Sequence, residues 1–186
     1  LAYDYFADVS IVRISPDHGP SFGGTKITVM GTNFFFSTTM RCAFGLNVVP
    51  ATLIDSSEIE CIAPQPSGQR AGSVAIAVSF NGKDYVEAET LFSYVPIAIV
   101  HSVQPSRGPL SGMTVATLSG SNFFNTTDLM CRFGDATVSA LFVSSTVLTC
   151  ETPTHVEGAV DVFVTTNGQD FTTVGPSFRF RSALTV

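Results

Sequence analysis

Charge is scarce in this sequence. Asp, Glu, Lys and Arg make up 13 % of its 186 residues, about half of the ~25 % usual in soluble domains. Lysine occurs only at Lys26 and Lys83, and the formal net charge is −6. No basic stripe can replace counterions on a phosphate backbone, which argues against nucleic acid as a partner. Tryptophan is absent, and the longest aliphatic stretch, VPIAIV at 95–100, is far shorter than the ~20 apolar residues that span a bilayer. No membrane insertion is expected from it. No charged segment leading into an apolar run and a small-residue cleavage site follows Leu1, so the expectation is that a signal has been removed or that the chain was cut from something longer. Helical periodicity is missing too, and no helix longer than a turn is expected.

What is abundant is hydroxyl and apolar surface. The chain has 20 Ser and 21 Thr, and 45 % of its residues are hydrophobic. That is enough for one large domain or two ordinary ones, each with a core.

The sequence repeats itself. ISPDHGPSFGGTKITVMGTNFF (14–35) aligns with VQPSRGPLSGMTVATLSGSNFF (103–124) at an offset of 89, and the 51 positions from 14 to 64 hold 19 identities without a gap. A shortening by three residues before Gly158 changes the offset to 86, which lays VAIAVSFNGKDY (74–85) on VDVFVTTNGQDF (160–171). Fixed-period self-similarity marks a tandem architecture, here with one unit over 9–95 and a second over 96–182. Tyr3 and Tyr5 take the places of Phe92 and Tyr94 in the same alignment. Residues 1–8 are accordingly read as the last strand of a preceding unit and 183–186 as the lead-in to a following one, a window on a longer array.

Within a unit the apolar period is two. Val74, Ile76, Val78 and Phe80 alternate with Ala75, Ala77 and Ser79, and Val160, Val162 and Val164 alternate with Asp161, Phe163 and Thr165. This pattern gives strands with one buried and one outward face. Each then meets Asn-Gly, at Asn81-Gly82 and Asn167-Gly168, the sequence of a type I′ hairpin turn. KITVMG, MRCAF, VPATLI and EIECIA supply further strands, with turn residues roughly every eight to twelve positions, as in sandwiches. Each unit is expected to be an antiparallel β-sandwich of about seven strands, joined to the next without a flexible linker, since FSYV runs straight into PIAIV.

The succession I-x-P-x-x-G-P-x-x-G, G-x-N-F, C-x-F-G, a second cysteine before a proline, and N-G-x-D-[YF] leading to F-x-[YF] resembles the IPT/TIG domain, an immunoglobulin-like sandwich of the early-set type. The first unit carries it on Pro16, Gly19, Pro20, Gly23, Gly31, Asn33, Phe34, Cys42, Phe44, Gly45, Cys61, Pro64, Asn81, Gly82, Asp84, Phe92 and Tyr94, and the second repeats it at the corresponding positions. The resemblance implies an all-β chain of two tandem sandwiches. Such domains occur in plexin-like receptor ectodomains, fibrocystin-like surface arrays, accessory modules of bacterial carbohydrate enzymes and DNA-binding Rel-type factors. The acidic balance argues against the last group.

The four cysteines fall at Cys42, Cys61, Cys131 and Cys150, a repeated C-x18-C. Zinc would want closely spaced pairs or nearby histidines, and a nucleophile would want a base, but His18, His101 and His155 do not match between units. One disulfide inside each unit, Cys42 to Cys61 and Cys131 to Cys150, is the simplest reading and implies an oxidising, extracellular or cell-surface location. Asn125-Thr126-Thr127 is the sole N-x-[ST] sequon and a candidate glycosylation site at Asn125. Asp84 and Asp170 are read as turn caps and not as calcium ligands, and Asp17, Asp55, Glu58 and Glu60 lack the spacing of a calcium loop. Gly23-Gly24 lies between strands and is read as a turn. No cofactor and no metal is expected.

Phe163 points outward by alternation, and the row Ser73, Ala75, Ala77 and Ser79 is small and uncharged. These five residues form the candidate contact surface. No catalysis is expected. The preferred reading is a structural or adhesive segment of an extracellular array, in contact with other subunits, neighbouring IPT repeats or glycans. The alternative is a carbohydrate-binding accessory module of a secreted enzyme, for which Phe163, Tyr85 and Phe171 are the available sugar-stacking aromatics; a third reading is direct ligand recognition by a receptor.

Overall fold

The structure, a computed structural model, describes residues 8–68 and 71–182. The strands expected from flanking copies, at 1–8 and 183–186, lie outside these residues except for Asp8. The chain divides into two compact units, Leu1–Pro96 and Ile97–Val186, and every element among the described residues is a β-strand.

The first unit runs β1 (Ser10–Ser15), β2 (His18–Pro20), β3 (Lys26–Thr32), β4 (Arg41–Phe44), β5 (Asn47–Leu53), β6 (Glu58–Ile62), β7 (Gly72–Val74), β8 (Ile76–Ser79), β9 (Val86–Glu87) and β10 (Phe92–Val95). Its strands pair in the order β1-β3-β6-β5-β4-β8-β9, with a smaller sheet β2-β10-β7. The strand count exceeds seven because the short β2 and β9 are strands of their own and the expected strand over 74–80 breaks at Ala75 into β7 and β8. These two then pair with different neighbours, β10 and β4. β5 changes partner along its length, pairing with β4 through Pro50 and with β6 from Ala51. That switch joins the two layers of the sandwich.

The second unit runs β11 (Ile99–Gln104), β12 (Arg107–Pro109), β13 (Val115–Ser121), β14 (Met130–Phe133), β15 (Ala136–Ser144), β16 (Val147–Glu151), β17 (Gly158–Thr165) and β18 (Ser177–Arg181). Here the corresponding strand stays whole as β17, and pairing is continuous: β11-β13-β16-β15-β14-β17-β18-β12.

Each core is built from the inward positions of both layers. Phe44 packs edge-on against Phe92 with ring centroids 5.8 Å apart, and Phe133 does the same against Phe178 at 5.5 Å. Burying each such ring contributes roughly 2–3 kcal/mol over leaving it in water. Cys42 on β4 bonds to Cys61 on β6, and Cys131 on β14 to Cys150 on β16, so each staple sits inside the core it closes. Gly31 and Gly120 are required by close approach. A Cβ at Gly31 would run into the carbonyl of Ser10 and the Phe34 ring, and one at Gly120 into the carbonyl of Ile99 and the Phe123 ring.

Candidate functional site

The Asn-Gly loops differ from the type I′ turns expected of them. That turn needs positive φ at both central residues, yet only the glycines have it, at 73° for Gly82 and 78° for Gly168. The asparagine side chain closes the loop instead. Asn81 Oδ1 accepts from the backbone amides of Lys83 and Asp84 at 2.9 and 2.8 Å, while Asn81 Nδ2 donates to Asp84 Oδ2 at 2.7 Å. In the second unit, Asn167 bonds to the amides of Gln169 and Asp170 and to the Asp170 carboxylate in the same way. The cap expected of Asp84 and Asp170 therefore belongs to the asparagines, with each aspartate holding the asparagine amide in place.

The outward row of the first unit is largely covered. Ser73 is exposed and Ala75 half-buried, but Ala77 and Ser79 are buried, at 7 % and 0 % exposure. Alternation alone pointed them outward; in the sheet, Ser79 sits opposite Arg41 and Ala77 opposite Ala43 and Glu87, inside a strand paired on both sides. Ala77 and Ser79 thus drop out of the contact surface, whereas Ser73 remains and donates to or accepts from Ser93 Oγ at 2.9 Å.

Phe163, the counterpart of Ala77, has a different setting. It lies opposite Arg132 across β14 and β17. The Arg132 guanidinium carbon is 5.0 Å from the Phe163 ring centroid and 4.1 Å from that of Phe171, an arrangement of one cation against two aromatic faces. The corresponding trio in the first unit is Ala43, Ala77 and Tyr85. Both phenylalanines stand out in the sequence and Arg132 does not, although its outward direction follows from its place between inward Cys131 and Phe133.

Another face also separates the units. Arg13, Lys26, Glu58 and Glu60 lie on the outer side of β1, β3 and β6, where Lys26 Nζ pairs with Glu60 Oε2 at 2.9 Å. Their counterparts on β11, β13 and β16 are Ser102, Val115, Val147 and Thr149, all uncharged.

Asn125 is exposed in the irregular segment between β13 and β14. Thr127 is exposed beside it, while the Thr126 hydroxyl donates to the carbonyl of Thr166. The first unit places Phe36 here, 76 % exposed.

Two asparagines invisible to function-seeking motifs have structural jobs. Asn33 and Asn122 adopt φ of 62° and 59°, a region where asparagine is among the better-tolerated residues. Their amides donate to the carbonyls of Asp8 and Ile97, each at 2.8 Å, tying down the chain as it enters each sandwich. The G-x-N-F motif held this signal.

Among titrating groups, burial pushes the Tyr94 phenol up to about 12, and its hydroxyl donates to the Pro64 carbonyl at 2.6 Å. The Ser57 hydroxyl and amide hold the exposed Asp55 carboxyl below its ordinary value. The histidines are dispersed: His18 Nδ1 is 2.8 Å from Asp17 Oδ1, His155 stacks on Phe180, and His101 is exposed. Among the described residues, no three His, Cys, Asp or Glu side chains gather to hold a metal.

Two immunoglobulin-like β-sandwiches in tandem, each stapled between the same pair of strands, define the class. The IPT/TIG domain profile matches residues 10–94 and 98–180, and the chain belongs to that family. It is similar to human fibrocystin-L, 30 % identical over 162 residues that make up 85 % of this chain and 4 % of that protein. It is also similar to human plexin-A2, 28 % identical over 152 residues, 80 % of this chain and 8 % of that protein. The fold superposes on the plexin A4 full extracellular region with a TM-score of 0.63 at 19 % identity, covering 95 % of this chain and 16 % of that one. The chain thus spans less than a tenth of the length of these curated relatives. By its kinship and its disulfides it is extracellular or cell-surface. Among the described residues no helix is long and apolar enough to cross a membrane.

Proposed function

We propose that this chain is a non-catalytic structural and adhesive segment of an extracellular IPT array, with one domain over 9–95 and the next over 96–182, and that it works by protein–protein contact. The observation that carries this reading is the pair of in-register, disulfide-stapled IPT/TIG domains similar to parts of fibrocystin-L and of plexins. Ser102, Val115, Val147 and Thr149 carry no charge, with Glu151 opposite Val115 as their charged neighbour; these four positions support a contact role, because desolvating hydroxyl and aliphatic groups costs far less than desolvating charges. Phe163 and Ser73 belong to the surface available for such contacts. The stacking of Phe163 and Phe171 on Arg132 favours protein contact over sugar binding, since both rings already have a cation against them.

The full-length reading frame tests the proposal: a secretion signal and further IPT copies are expected on either side. A catalytic domain beside these two copies, together with saturable binding on a glycan array, would replace it with the accessory-module reading.

A further inference from the structure

The Arg132 guanidinium is half-built as a binding site. Its Nε is buried and has no hydrogen-bond partner. The ion pairs among the described residues join His18 to Asp17 and Lys26 to Glu60, and none involves Arg132. Nε is too buried for a partner to reach, whereas the terminal nitrogens are not among the buried unpaired atoms, so they form the open end of the group. The Phe163 and Phe171 ring centroids lie 5.0 and 4.1 Å from the guanidinium carbon, and apolar surroundings of this kind strengthen a charge interaction made beside them. The terminal nitrogens of a guanidinium form a planar fork that matches a carboxylate. Arginine is also among the residue types enriched at the energetic hot spots of protein interfaces.

We propose that Arg132, Phe163 and Phe171 form a carboxylate-binding contact site, whose occupant is an aspartate or glutamate side chain on an acidic surface of a partner protein. This deepens the protein-contact reading and rests on it. Charge complementarity selects the occupant: the Arg132 guanidinium makes no ion pair with a carboxylate among the described residues, so its counter-charge has still to be supplied. The second domain alone carries the site, because the first has Ala43 and Ala77 where the second has Arg132 and Phe163.

The test titrates the isotope-labelled two-domain chain with an acetylated tetraglutamate amide and follows the Arg132 Nε–H resonance, assigned by its absence in Arg132→Lys. A saturable shift is expected with tetraglutamate and none with a tetralysine amide. Affinity followed at the Phe163 and Phe171 backbone amides should fall roughly tenfold in Arg132→Lys and in Phe171→Ala, with melting temperatures showing that both variants are folded. Failure of tetraglutamate to shift the resonance, or unchanged affinity in Arg132→Lys, would overturn the proposal. A saturable response to free sialic acid in preference to tetraglutamate would also overturn it, by giving the site to an acidic sugar. The titration uses this chain alone, so finding no IPT copies around it in the gene would leave the result intact.

Discussion

The side-chain amide of Asn33 donates to the carbonyl oxygen of Asp8 across 2.8 Å, from a residue whose own backbone is at φ 62°. Two effects are joined at one position. Alanine would lose the bond and strain the left-handed conformation, whereas glycine would lose only the bond. We expect Asn33→Ala to destabilise the first domain by about 2 kcal/mol and Asn33→Gly by about 1 kcal/mol. Urea unfolding followed by circular dichroism measures both. Equal losses in the two variants would show that backbone strain contributes nothing.

Cys42 and Cys61 are 0 % and 1 % exposed and separated by 19 positions. Closing a loop of that size stabilises a fold by about 3 kcal/mol in the chain-entropy treatment. Replacing both with alanine should lower the melting temperature of the first domain and leave the second transition in place in a calorimetric scan. In the unmodified chain, alkylation before reduction should add no label and alkylation after it should add four, since there are no free cysteines.

How far the sequence reached can be read from single positions. Cys42, Cys61 and the alternating Ile76 and Val78 were legible because their signals are periodic or duplicated, and period two maps directly onto the faces of a strand. Asn81 was legible as a turn residue but not as the acceptor that closes the loop, since Asn-Gly fits both a type I′ turn and a side-chain-capped one. Ala77 and Ser79 are buried in a strand that pairs with β4 on one side and β9 on the other, and one strand's own pattern does not contain its neighbours. The Arg132 site needs residues 132, 163 and 171 together, and nothing local in the sequence joins them.

Tyr94 makes the stability of the first domain fall in alkali. Burial favours its neutral form, raising the phenol from an ordinary value of 10.0 to about 12. The sign follows from proton release. Below pH 10 the contribution is complete; between 10 and 12 the unfolded chain loses the proton first and stability declines; above 12 the contribution is gone. Phenolate absorbance should show late titration of Tyr94 in the folded chain. Tyr94→Phe should abolish it, flatten the decline and remove the bond to Pro64, at about 1 kcal/mol. The second domain has Phe180 here and should lack this particular decline.

Glycosylation can be tested at two equivalent loops. Asn125 and Thr127 are exposed on an irregular segment, whereas the Thr126 hydroxyl is engaged with Thr166. The sequon requires the hydroxyl two positions after the asparagine. A chain secreted from eukaryotic cells should therefore carry one N-linked glycan, released by glycosidase and seen as a mass shift. Asn125→Gln and Thr127→Ala should both remove it, while Thr126→Ala should keep it. The first domain supplies the converse experiment. Phe36 holds the matching place and is 76 % exposed, followed by Ser37 and Thr38, so Phe36→Asn completes an N-x-T sequon on a loop of the same kind. A second glycan is expected on that variant, and its absence while Asn125 is fully occupied would mean that the two loops differ in access despite their shared position in the fold.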